Sequence, residues 1–115
     1  MKMMPIFKSM LTESIKFEET KKLGTVTNFS TKEWKKSPGD FTFACQAAAF
    51  YARKENADML VIPSNSYGSK VFQVSRMTDD LRKYAPGIAD KWVSCAMVSP
   101  DGTVYQGKCS QQSKQ

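Results

Sequence analysis

Residues 40–63, DFTFACQAAAFYARKENADMLVIP, read as one helix running directly into one buried strand. Ser37, Pro38 and Gly39 offer a turn, and the Asp40 carboxylate that follows can accept the free amide hydrogens of a first helical turn, which makes it the N-cap. Phe43, Ala47 and Phe50 fall on one stripe at helical spacing, with Ala44, Ala48 and Tyr51 on the stripe beside it. The apolar arc is wide, and its small residues let another element approach closely. Arg53 and Lys54 suit the negative end of the helix dipole, and Asn56 can take the left-handed conformation that ends a helix. Met59, Leu60, Val61 and Ile62 then form a short apolar run closed by Pro63, as expected of a strand covered on both faces, one of them by the helix.

The remaining chain supplies the partners for that strand. Gly24 to Ser30 alternates as a half-buried strand, with Val26 available to the core, after a solvated connector KFEETKK at 16–22. Lys70, Phe72, Val74 and Arg76 alternate with Val71, Gln73 and Ser75 in a further strand, and Thr78, Asp79 and Asp80 open a short surface helix carrying Leu81 and Tyr84. The clearest hairpin lies at the end: residues 91–98 and 103–109 flank Ser99-Pro100-Asp101-Gly102, where proline sets the first turn dihedral and glycine the positive one. The expected fold is α+β, a small single domain with one main helix on a three- to five-stranded, mostly antiparallel sheet and a C-terminal hairpin. Its expected limits are an amphipathic segment and connector over 1–22, the domain over 23–109, and a disordered tail over 110–115.

Composition narrows the chemistry. The 115 residues are 41% hydrophobic and 24% charged, the balance of one domain with one core. Seventeen basic residues against eleven acidic ones give a net charge of +6, which favours anionic partners. The chain has no histidine, so histidine-assisted serine or cysteine catalysis is excluded within it, and an imidazole-ligated zinc site with it. Cys45, Cys95 and Cys109 are too few and too far apart for a closed zinc site, and Cys45 among alanines reads as core filling. No cofactor and no metal are expected. Asp79, Asp80 and Asp90 could be acid-base or cation-binding carboxylates, but helix capping accounts for the first two.

Two loops carry the candidate binding residues. Trp34, Lys35 and Lys36 precede the main helix, where the indole could stack on a base and the lysines meet phosphates; the other reading folds the tryptophan over the core edge and leaves the lysines in water. Ser66, Tyr67 and Ser69 belong to a loop of hydroxyl and amide groups over 64–69 at a strand end, and Lys70, the fourth candidate there, follows it at the start of the next strand. Gly68-Ser69-Lys70 lacks the spacing of a phosphate loop and is followed by strand residues. In the hairpin, Cys95 and Cys109 share a face but are offset along the ladder, so a disulfide between them needs a register shift or a bend. No stretch approaches the roughly twenty apolar residues of a membrane span. No cysteine before Cys45 could accept a lipid. A chain starting natively at Met1 is expected in the cytoplasm, and one cut from an upstream signal in the bacterial envelope.

The order Leu23-Gly24-Thr25-Val26, alanine-rich helix, Asn56-Ala57-Asp58-Met59-Leu60-Val61-Ile62 and Trp92-Val93-Ser94-Cys95-Ala96 resembles the small domains of bacterial envelope lipoproteins, including the RcsF-like stress-sensor domain. The resemblance covers residues 23–109, with 76–90 as an insertion. It implies a non-catalytic module that signals or scaffolds by touching other proteins, with Cys95 and Cys109 as the positions that respond to oxidation. The sequence reading is therefore a small binding or protein-interaction module of bacterial or mobile-element origin. The alternative is binding of nucleic acid or an anionic small molecule through the basic-aromatic residues. A homo-oligomer would cover the sheet's edge strands.

Overall fold

A computed structural model describes residues 13–66, 68–84 and 91–113. Five strands form one wholly antiparallel sheet: β1 (Glu13–Thr25), β2 (Met59–Ser66), β3 (Ser69–Arg76), β4 (Val93–Val98) and β5 (Thr103–Ser113), in the spatial order β1-β5-β4-β2-β3. Two helices, α1 (Lys32–Lys36) and α2 (Phe41–Glu55), precede β2, and a 3₁₀ turn (Leu81–Lys83) follows β3. The α+β fold expected from the sequence is the one observed.

The central stretch behaves as its residues dictate. Asp40 caps α2, its carboxylate accepting from the Phe43 amide at 3.1 Å. Asn56 closes it at φ 52°, and the Ala57 amide reaches back to the Ala52 carbonyl at 3.0 Å. Ala44, Ala48, Ala49 and Ala52 lie fully buried against Met59 and Val61 of β2, Ala96 and Val98 of β4, and Val104 of β5. The alternate residues of the same strands, Leu60, Ile62, Cys95 and Cys109, form a second core on the opposite face together with Ile15. Leu81 caps that core. The expected surface helix is thus a 3₁₀ turn whose leucine is fully buried; its cap reading holds for Asp80, which accepts from the Arg82 amide, and not for Asp79, which accepts from the Arg76 amide.

Three expected boundaries change. Residues 16–22 are not a connector but the middle of β1, paired with β5 from Glu13↔Ser113 to Thr25↔Thr103, whereas residues 26–30 lie beyond its end. An edge strand tolerates the charges of EETKK because one side of it faces water. Two irregularities in register, between Glu19 and Lys21 and between Lys22 and Gly24, break the alternation that would have revealed it. Phe17 lies over Gly107, where a Cβ would stand 2.7 Å from its ring and closer still to the Glu18 carbonyl. Likewise residues 110–113 belong to β5, with Ser110 and Gln111 buried, so the expected disordered tail is strand at least to Ser113. Finally, the Ser64–Ser69 loop is a tight hairpin, since β2 runs on through Ser66 and β3 starts at Ser69.

Pro63 therefore sits inside β2 instead of ending it. The reason lies in its partner, Phe72. The Phe72 amide donates outward to the Pro38 carbonyl at 2.7 Å, and its carbonyl accepts from the Trp34 indole nitrogen at 3.1 Å. Both groups point away from β2, so the Pro63↔Phe72 pair is not hydrogen-bonded and needs no amide from proline. Pro63 turns its backbone toward β4 instead. On that side pairing covers only Met59↔Val98, Leu60↔Met97 and Val61↔Ala96. Beyond Val61 the two strands part, and the sheet splits.

Candidate functional site

Trp34, Lys35 and Ser69 come together in a groove of about 470 Å³, lined also by Pro38, Val71, Phe72 and Gln73, where α1 folds across the outer edge of β3. The Trp34 ring packs against the core on the helix side, and its indole nitrogen is spent on the Phe72 carbonyl. The tryptophan thus folds over the core edge while still bordering a groove. Lys35 and Lys36 are exposed, and only Lys35 lines it. Lys70 is exposed nearby, its carbonyl so close to Gly39 that a Cβ there would stand 2.9 Å away. Tyr67 and the side chain of Ser66 lie outside the described residues, as does Asp90.

A second groove, of about 280 Å³, opens at the split. Its floor is Val61 and Pro63 of β2 and Ser94, Cys95 and Ala96 of β4, and its walls are Leu23 of β1, Phe41 of α2, Phe72 of β3 and Gln106 of β5. It exists because α2 covers only part of its face of the sheet. The rings of Phe41 and Phe72 meet edge to face at 5.4 Å between centroids. Leu23 and Phe41 stay 42% and 37% exposed, two large apolar side chains left at one opening. Trp92, 40% exposed, stands with its ring 6.0 Å from the Lys108 ammonium. Sequence reasoning missed this groove. Its signals were a proline inside a strand and two large apolar side chains, Leu23 and Phe41, at positions that the expected core did not use.

The cysteines divide between the faces. Burial pushes the Cys45 thiol up to about 12. Cys95 pairs with Gly107 and Cys109 with Val93, so the two thiols share a face two residues apart along the ladder, both buried and both free. A hydrogen bond with Cys109, reinforced by burial, raises the Cys95 thiol. Among the described residues, no cluster of three or more cysteines or carboxylates could hold a metal ion, and no helix is long and apolar enough to cross a membrane. Asp79 accepts from the Arg76 amide and pairs with its guanidinium, and Asp80 is held near 2 by Arg82, so both carboxylates serve local structure. No protein-family model, curated protein or solved structure matches the chain.

Proposed function

We propose that the chain is a non-catalytic protein-interaction module whose contact surface is the groove at the split between β2 and β4. The observation that carries this reading is an open apolar concavity built from all five strands and α2 and rimmed by half-exposed Leu23 and Phe41. Its polar side chains are the Ser94 hydroxyl and the Gln106 amide, groups that can orient a partner. The resemblance to envelope lipoprotein domains points to the same kind of role. A photoreactive benzoylphenylalanine in place of Leu23 should crosslink to a discrete host protein, whereas the same residue in place of Lys54, in the last turn of α2, should not. Equal crosslinking from both positions, or turnover of a metabolite by the purified chain, would overturn the reading.

A second reading rests on the groove that Trp34, Lys35 and Ser69 share, a basic-aromatic site for a nucleotide or another anionic small molecule. Lys35→Glu is the cleaner probe, because Trp34 also holds the β3 edge. Binding of nucleotides or oligonucleotides should fall steeply with salt and be lost in that variant; salt-independent binding would exclude it.

A further inference from the structure

We infer that the groove at the split selects a partner segment in which one bulky apolar side chain is flanked by acidic residues. This rests on the interaction-module reading above and adds the chemistry of the partner. The floor is apolar and the rim is basic. Lys21 pairs across the ladder with Gln106 and Lys108 with Ser94, so each lies on the groove's face beside a residue that lines it. Lys70 lies two residues from Phe72 on β3 and therefore on the same face. These three lysines stand on β1, β5 and β3, on both sides of the opening, and all are exposed.

Two acidic groups on this face, Glu18 and Asp40, are already engaged. Glu18 lies opposite Lys108, its carboxylate 3.9 Å from the ammonium, and Asp40 is turned into the first turn of α2. Among the described residues neither Lys21 nor Lys70 takes part in an ion pair. The rim thus presents positive charge over an apolar floor, complementary to carboxylates placed on either side of an apolar anchor. Size sets the anchor. A cavity of roughly 150 Å³ holds a benzene ring, so about 280 Å³ takes one phenylalanine, leucine or tryptophan side chain. A basic partner would place lysine against lysine, and one without an anchor would leave the floor wet.

The test uses three fluorescein-labelled decapeptides with a central Gly-Phe-Gly, flanked by Asp and Glu, by Ser and Gln, or by Lys and Arg, titrated with the full chain and read by anisotropy. The acidic peptide should bind at least about five-fold tighter than the neutral one at low salt, and that margin should shrink as salt is added. Leu23→Asp should abolish binding, and Lys21→Glu with Lys70→Glu should reverse the preference toward the basic peptide. All these positions are exposed, and an unchanged melting temperature confirms the fold. Equal binding of all three peptides, lost in Leu23→Asp, would overturn the acidic selection while leaving the groove reading standing. Absence of binding to all three at millimolar concentration would overturn both. Acidic-peptide binding insensitive to Leu23→Asp, or binding to phosphatidylglycerol vesicles with no preference among the peptides, would overturn the proposal as well.

Discussion

On one face of the sheet α2 lays four fully buried alanines along Met59, Val61, Ala96, Val98 and Val104; on the other, among the described residues, fully buried Leu81 with Met77 and Tyr84 beside it closes the core of Ile15, Leu60, Ile62, Cys95 and Cys109. The first closure is continuous and close, because alanine lets the helix backbone approach the strands. The second depends on one short excursion, tied down where the Gln111 side-chain carbonyl accepts from the Leu81 amide at 2.5 Å and the Ser64 hydroxyl donates to the Tyr84 carbonyl at 2.9 Å. Closely packed faces resist added volume, whereas a plugged face resists the loss of its plug. The consequences of mutation should differ in kind accordingly.

Leu81→Ala should have the largest effect, about 2–5 kcal/mol of lost stability in denaturant unfolding. It should also open Cys95 and Cys109 to a thiol reagent while Cys45, on the other face, stays protected; equal labelling of all three would show that the faces open together. Ala48→Leu should cost about 1–3 kcal/mol by overpacking, with a reduced melting temperature and no selective thiol exposure. Asp40→Ala removes the cap of α2 and should cost about 0.5–2 kcal/mol, read in the same unfolding experiment. Alkaline pH probes the helix-covered face by its own group. Cys45 is raised by burial from 9.0 to about 12, so its contribution is complete below pH 9 and is lost as pH climbs through the folded value. Unfolding midpoints should decline above pH 9 less steeply in Cys45→Ala than in the parent. Leu23→Ser, on the open part of the same face, should change stability by less than about 0.5 kcal/mol, which separates the groove from the core it adjoins.

What was legible followed the strength of local signals. Residues 40–63 carried a cap, a stripe, a terminator and an apolar run that all agreed, and helix and strand formed there, the strand running on past Pro63 to Ser66. The Pro100-Asp101-Gly102 turn was equally plain, with Gly102 at φ 92°. β1 was not, because its register breaks at Thr20 and Leu23 and its charges are those of a loop. The candidate site divides in the same way. Trp34, Lys35 and Ser69 were found because polar and aromatic residues beside a helix start or a strand end stand out singly. The groove at the split was hidden because it draws one to three ordinary residues from each of six elements, and only the path of the sheet assembles them.

The pairing of β1 with β5 also joins the two ends of the described chain, Glu13 opposite Ser113, across one hundred intervening peptide units by subtraction of those numbers. Closing so long a loop is entropically costly before any contact rewards it. Loop-closure entropy therefore favours docking of β1, at the sheet edge away from α2, onto a four-stranded body that the helix already holds together. Its arrival covers Gly107 with Phe17 and brings Leu23 to the rim of the groove. The binding surface is thus complete only once the first described strand has paired with the last, β1 with β5.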